Sequence, residues 1–236
     1  MRLFYNKNIS KTDLKVNLEK KETKHLTKVL RKKIGDVIYI TNGQGVLFET
    51  KINLINKNST ELLITKNKVH SKSKVKINIA IAPTKMNDRT EWFIEKSTEI
   101  GIDTITPILC EKSERKTIKK DRFEKIAISA MKQSLKYFKP NIDELVNLDT
   151  FINNCNSDEK FIAHCKDDNK QYLGNYKLKS KSVTVLIGPE GGFSDNEIKN
   201  AKNKGFIAVT LGNSRLRTET AAVVATQVLS VFNIDI

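Results

Sequence analysis

The sequence predicts an α/β protein in two modules, a small basic β-barrel followed by a parallel sheet with helices on both faces. Three observations carry that reading. Short strand-like segments with turn signals fill the stretch from Met1 to about Asn67, strands and helices alternate from Ile77 onward, and the positive charge is concentrated in the first part. Residues 1–76 hold 18 basic and 6 acidic side chains, +12 of the formal +15 of the 236-residue chain. Lysine supplies 35 of the 42 basic residues, as a compositional drift of the genome would produce, but drift should act on both parts alike. A polyanion, most simply nucleic acid, is the better explanation of the asymmetry, with a merely basic surface as the alternative.

Hydrophobic residues at 39% and charged residues at 29% exclude disorder over the whole length and suffice for one large core or two modest ones. No segment approaches the roughly 18 uninterrupted apolar residues of a membrane-spanning helix. The start, MRLFYNKNIS, lacks a cationic segment followed by an apolar one, so a cytoplasmic protein with no membrane partner is expected. Cys110, Cys155 and Cys165 form no CxxC pair, and the histidines are His25, His70 and His164 only. Neither a disulfide framework nor a zinc site is expected, and no metal.

In the first module, RLFY, DVIYITN, VLFETKINLI and ELLITK read as strands, with turns at Asn42-Gly43, at Gly45 and at 56–59. One helix interrupts them over Glu19–Lys33, where Leu26, Val29 and Leu30 recur at helical spacing and Gly35 follows as a stop signal. Its other face carries Lys20, Lys21, Lys24, Lys28, Arg31, Lys32 and Lys33. A charged helix face is commonly just solvated, but one of nearly a single sign repels itself and is better tolerated beside phosphates. The barrel is assigned to residues 1–70, a linker to 71–76 within the Ser- and Lys-rich VHSKSKVK, and the second module to 77–236.

There the strands are expected at Ile77–Ala82, Thr104–Leu109, Lys160–Cys165, Val183–Gly188 and Phe206–Gly212. Helices are expected near Asp88–Ile100, Lys120–Phe138, Asp195–Lys204 and Thr218–Phe232. Ligands of such sheets sit at the carboxyl ends of the strands. Two strand-to-helix junctions stand out. In LIGPEGGFSDNEI, Gly188, Gly191 and Gly192 around Pro189 let backbone groups approach a ligand closely, and Ser194 with Glu197 has capping-box spacing. The spacing fits neither nucleotide-phosphate template, and a plain tight turn explains it as well. In LGNSRLRTETAAVVA, Thr218 suits an N-cap and Glu219 the positive end of the helix. The crowding of Arg215, Arg217, Glu219 and Thr220 before a small-residue helix is left unexplained by capping alone. Nothing resembles a Ser/His/Asp or Cys/His nucleophile system.

At these loops the sequence resembles the SPOUT-class RNA methyltransferases of the RsmE type, the 16S rRNA (uracil(1498)-N3)-methyltransferases. The likeness is carried by IGPEGGFS (Ile187–Ser194), Leu211-Gly212 and LRTETA (Leu216–Ala221). It is supported by HLTKVLR (His25–Arg31), GDVI (Gly35–Ile38), EKSTEIGIDTITPI (Glu95–Ile108) and Gln133-Ser134. The resemblance implies a PUA-like β-barrel for RNA binding joined to an α/β methyltransferase domain tied in a deep trefoil knot, a fold that general topology rules disfavour. It implies S-adenosyl-L-methionine as cofactor, a homodimer, and 16S ribosomal RNA in the small ribosomal subunit as partner. Leu186, Ile187, Gly188, Glu190, Gly191, Leu211, Gly212, Leu216 and Arg217 would surround the cofactor, and Arg217, Glu219 and Thr220 would form the catalytic group. Arg217 is the candidate cation for a uridine anion, and Glu219 would orient it or accept the proton. Arg2, Lys24, Lys28, Arg31 and Lys32 are the expected phosphate contacts. Lys112 and Lys136 stand where the family has arginine, and a lysine does not reproduce a planar bidentate contact. A SPOUT enzyme acting on another atom, such as a ribose hydroxyl or a tRNA base, and a non-catalytic RNA-binding factor are the alternatives.

Overall fold

In the computed structural model, which describes residues 2–177 and 180–233, the chain forms two compact units. Residues 1–72 with 131–139 make the first, and 73–130 with 140–236 the second.

The first unit is a five-stranded sheet. Its strands are β1 (Leu3–Tyr5), β2 (Lys15–Leu18), β3 (Val37–Thr41), β4 (Val46–Ile55) and β5 (Thr60–Val69), ordered β1-β3-β4-β5-β2. Only β1 and β3 run parallel; the other pairs are antiparallel. Register shifts at Glu49/Thr50 and Ile52/Leu54 mark irregularities that bend the long β4–β5 ribbon. The inward residues Phe4, Leu18, Ile40, Phe48, Ile52 and Leu62 gather with Leu26 into one core. Among the described residues no hydrogen-bonded pairing of β1 with β2 closes the sheet of the expected barrel.

The helix expected over Glu19–Lys33 is shorter and of mixed type. An α-helical turn, α1 (Lys20–Lys24), passes into a π-helical turn over His25–Val29, closed by Leu30 N–H donating to the His25 carbonyl at 3.0 Å. The Thr27 hydroxyl donates to the Thr23 carbonyl at 2.9 Å, and such back-bonding competes with the α-helical ladder. Arg31, at φ 53°, ends the helical run four residues before Gly35. Residues 131–139 are tied to this unit: Gly45 N–H donates to the Tyr137 carbonyl at 2.9 Å, and Lys132 pairs with Glu22 at 2.8 Å.

The second unit holds β6 (Lys76–Ile81), α2 (Asn87–Ile100), β7 (Thr104–Leu109), α3 (Lys120–Gln133), β8 (Asn141–Ile142), β9 (Val146–Asn147) and α4 (Leu148–Asn154). After these come β10 (Glu159–Ala163), β11 (Gln171–Tyr172), β12 (Ser182–Ile187), α5 (Asp195–Asn203), β13 (Ile207–Thr210) and α6 (Thr218–Ser230). The strand order is β11-β13-β10-β12-β6-β7-β8, parallel throughout, with β9 beside β7. Both faces are covered. Ile77, Ile79, Ile81, Val183 and Val185 point to a core shared with α2, α3 and α6, while Ala80, Ile108, Ile162 and Leu186 face α4 and α5. Helix α3 stops five residues short of the expected Phe138, because Leu135 adopts φ 55° and Lys136 N–H donates back to the Met131 carbonyl. The two-residue strands and α4 carry too short a pattern to be read from the sequence.

Among the described residues no helix is long and apolar enough to cross a membrane. Nor does any group of three or more His, Cys, Asp or Glu offer a metal site.

At Gly45, with φ +89°, an added Cβ would stand 2.2 Å from Phe138 Cζ, whereas at Gly35, with φ +95°, it would meet only Lys51 Cε at 3.9 Å. Gly45→Ala is expected to lose about 2–4 kcal/mol in urea denaturation and Gly35→Ala about 1–2 kcal/mol, the difference being the clash rather than the dihedral. Equal losses would refute the packing role of Gly45.

Candidate active site at the strand ends

Strand β12 ends at Ile187, and the loop Gly188–Phe193 folds back on itself. Gly192, at φ +68°, donates its N–H to the Pro189 carbonyl at 2.8 Å. Gly188 is tightly packed, since a Cβ would lie 3.1 Å from the ring of the buried Phe193, which would have to give by a few tenths of an ångström. The expected capping box is present: Glu197 N–H donates to Ser194 Oγ at 3.2 Å, and Ser194 N–H donates to Glu197 Oε2 at 2.7 Å. The other oxygen of the same buried carboxylate accepts from Glu111 N–H at 2.7 Å, which ties the exit of β7 to the loop after β12. Burial, with the Glu197 charge beside it, pushes the Cys110 thiol far above its ordinary value.

The second loop leaves β13 at Thr210, whose hydroxyl donates to the Gly212 carbonyl at 2.7 Å and accepts from Gly212 N–H at 3.3 Å. Thr218 is not the N-cap of α6. Arg217 holds that position without a side-chain cap, and the Thr218 hydroxyl instead donates to the Gly188 carbonyl at 3.1 Å. The sequence rule placed the right residue type one position too late, because a tertiary acceptor captured the hydroxyl.

These loops and the end of β10 enclose a cleft. One lobe, about 560 Å³, is lined by Ile187, Gly188, Glu190, Gly191, Leu216 and Arg217 among others. A second, about 440 Å³, is lined by Leu211, Gly212 and Leu216 and shares Ala163, His164, Cys165, Arg215, Leu216 and Ala221 with the first. Volumes of this order suit small-molecule ligands. Of the residues expected around a cofactor, Leu186 is fully buried beneath the loop, with its side chain in the core, and does not line the cleft. Of the three expected catalytic residues Arg217 lines it, whereas Glu219 and Thr220 do not.

The structure adds residues that sequence reasoning did not select. Arg89 of α2, His164, Cys165 and Lys166 belong to the wall. His164 is almost wholly enclosed, its side chain 3% exposed, with Nε2 3.4 Å from Asp168 Oδ2. Its pKa is lowered, by burial first and then by Lys170, which favours the neutral imidazole. Lys170 Nζ donates to the His164 and Lys166 carbonyls at 2.9 and 2.5 Å and holds this turn in shape. The 560 Å³ lobe carries Arg89, Lys166, Arg215 and Arg217 against Glu190, with Asp195 paired to Lys166 and Glu219 beside Arg89 just outside the lining. Glu190 is itself engaged, accepting from Lys85 N–H at 3.0 Å.

The expected phosphate contacts lie in the first unit. Lys24, Lys28 and Arg31 are exposed, the Arg2 guanidinium is 3.1 Å from His25 Nε2, and Lys32 is 3.8 Å from Asp36. Lys112 packs its stem against Gly191, and Lys136 sits in the segment following α3.

Two outcomes test this geometry. Glu197→Ala takes the acceptor from the part-buried Ser194 and Glu111 amides and is expected to lose about 1–3 kcal/mol in chemical denaturation, so a neutral substitution would refute the anchor. In the folded wild-type chain an alkylating reagent should modify the exposed Cys165 and spare the buried Cys110 and Cys155, as read by peptide mass analysis.

Comparison with known proteins agrees with this architecture. Residues 71–230 match the family model described as an RNA methyltransferase domain, and residues 18–65 match an RNA methyltransferase PUA domain. A ribosomal RNA small subunit methyltransferase E of Buchnera aphidicola is 36% identical over 86% of this chain and 83% of its own length. A crystal structure of a probable rRNA methyltransferase from Porphyromonas gingivalis superposes with TM-score 0.91 at 37% identity, covering 99% of this chain and 98% of that one. A ribosomal RNA small subunit methyltransferase E of Neisseria gonorrhoeae, bound to S-adenosyl methionine, superposes with TM-score 0.88 at 27% identity, covering 98% and 97%. A parallel sheet with a glycine-walled cleft at its strand ends, joined to a basic PUA-type unit, places the chain in the ribosomal RNA small subunit methyltransferase E family of RNA methyltransferases.

Proposed function

We propose that the chain methylates N3 of one uridine, of the uracil-1498 type, in 16S ribosomal RNA, using S-adenosyl-L-methionine in the cleft at the ends of β10, β12 and β13. The observation that carries this is the junction of the two glycine-bearing loops through Thr218 and Gly188, which makes one continuous cleft in a chain of this family. The cleft fits such a cofactor. Its walls offer apolar faces from Ile187, Leu211, Leu216 and Ala221, and glycine backbone at Gly188, Gly191 and Gly212 for hydrogen bonding to a nucleoside. Bound there, S-adenosylmethionine supplies an electrophilic methyl group.

The remaining work falls to side chains of this chain. N3–H must lose its proton, and a cation beside O2 or O4 favours the resulting uridine anion. Arg217, at the N-cap of α6 and in the cleft wall, is placed to supply that charge. Glu219 and Thr220 lie in the first turn of α6, outside the wall. Alignment of acceptor and donor contributes a further part of the barrier reduction, on the order of several kcal/mol. Arg215 and Arg217 in the wall favour the entry of an anionic substrate.

We also infer a domain division at residues 1–70, 71–76 and 77–236, with the first domain gripping phosphates through Arg2, Lys24, Lys28, Arg31 and Lys32. The C-terminal chain is inferred to thread as a trefoil knot, supported by the return of the chain after β13 to pack α6 on the central strands β6 and β12. A homodimer is inferred from the outer side of α6 and the turn after it, where Val224 is half-buried and Gln227 and Val231 are exposed. The small ribosomal subunit as substrate implies a cytoplasmic protein.

Primer extension on small subunits from cells lacking the protein tests the reading. Incubation with protein and S-adenosylmethionine should create a stop at one uridine, because N3 methylation blocks the pairing edge. Arg217→Ala should slow its appearance about 100-fold. Methyl incorporation without a stop would move the target to a ribose or another edge, and absence of incorporation would leave an RNA-binding factor.

A further inference from the structure

Glu219 was expected to orient Arg217, but among the described residues its ion-pair partner is Arg89. Arg89 Nε lies 3.9 Å from Glu219 Oε1. The Glu219 side chain is 8% exposed, and its second oxygen, Oε2, is buried with no hydrogen-bond partner. Burying a carboxylate so incompletely answered is costly, so stability does not account for its presence at the start of α6. Arg89 is 37% exposed and lines the 560 Å³ lobe together with the Gly188–Gly192 loop.

The segment that carries Arg89 is held firmly. The Thr84 and Thr90 hydroxyls meet at 2.8 Å, and Thr84 N–H donates to Thr90 Oγ1 at 3.0 Å, which fixes the first turn of α2. The Arg115 guanidinium donates to the Thr84 carbonyl at 2.9 Å and also to the Lys85 carbonyl. Glu190 accepts from Lys85 N–H, so the loop before α2 is bonded to the loop after β12. Arg89 is therefore delivered to the cleft by a braced turn, with its Nε edge turned to a buried carboxylate. A guanidinium whose Nε edge faces a carboxylate 3.9 Å away, an ion pair without a hydrogen bond, presents its two Nη groups as a planar fork, the geometry that matches a pair of acceptors in one plane.

We propose that Arg89 contacts the target base, its fork gripping the carbonyl edge that becomes anionic when N3 loses its proton, and that Glu219 is the positioning residue for Arg89. This rests on the uridine-N3 reading above. A place in the cleft wall favours a base over a phosphate as ligand, because the base must enter the cleft to meet the methyl donor and the backbone need not.

The test compares Arg89→Gln, Glu219→Gln, Arg89→Lys and the double Gln variant on small subunits under saturating S-adenosylmethionine, with product mass analysis. Each Gln variant should lower kcat about 10–100-fold while KM for the subunit changes less than about 3-fold. The double variant should be no slower than Arg89→Gln alone, since the pair acts as one device. Arg89→Lys should recover only part of the loss, as charge returns without the fork. Losses that multiply in the double variant would overturn the pairing. A raised KM with intact kcat and a shallower salt dependence would make Arg89 a phosphate contact and overturn the base contact. If the wild-type product carries its methyl group elsewhere than uridine N3, the uridine reading falls, and the same kcat comparison on that product still judges Arg89.

Discussion

The hydrogen bond from the Thr218 hydroxyl to the Gly188 carbonyl sets where the loop after β13 lies against the loop after β12. Each loop alone would be an ordinary strand-to-helix turn. Joined, they share a wall, and the end of β10 between them supplies the floor with Ala163, His164 and Cys165. The bond is possible because α6 starts at the sheet rather than beyond it: its small residues Ala222 and Ala225 are fully buried, and Ser97 of α2 lies 3.3 Å from Thr226. Close packing of α6 puts Thr218 within reach of a carbonyl of a neighbouring strand end.

Glu197 does for the other side of the cleft what Thr218 does for this one. Its carboxylate satisfies the Ser194 and Glu111 amides together, so the capping box is also a tether between two loops. A buried carboxylate is tolerable where backbone N–H groups answer both oxygens. Glu219 differs, since one of its oxygens is answered only by an arginine at 3.9 Å and the other by nothing among the described residues. The contrast separates a carboxylate that holds the fold from one whose cost is accepted for another reason.

Much of this was legible in the sequence, and the failures have physical causes. The apolar runs of β6, β7, β10 and β12 and the Ser194-to-Glu197 spacing are local signals, and the corresponding elements lie within a residue or two of expectation. The helix after Glu19 was misjudged because a periodic apolar stripe does not report a threonine back-bond or a π-helical turn. Thr218 was misassigned as a cap because its acceptor, Gly188, is distant in sequence. Arg89, His164 and Lys166 were missed for the same reason. They sit on other elements, and only the strand order β10-β12-β6, which brings β10 beside β12 and the start of α2 to the same sheet edge, delivers them to the cleft. Leu186 shows the converse error: a residue inside a recognisable motif whose side chain serves the core.

The electrostatics of the cleft follow from these placements. Glu219 stands beside Arg89 and Asp195 pairs with Lys166, but Arg215 and Arg217 still leave the wall positive, which disfavours a cationic ligand, yet a sulfonium compound is the proposed methyl donor. The tension is eased if the donor lies among the neutral glycine loops, where backbone dipoles replace charge, and the cations serve the anionic partner that arrives afterwards. A neutral His164 is consistent with that division, since burial and the nearby lysines keep a further positive charge out of the floor. Separation of a dipolar floor from a cationic rim lets one cleft hold a cation and then stabilise an anion developing a bond length away from it, which is the electrostatic demand of moving a methyl group from sulfur to a deprotonated base.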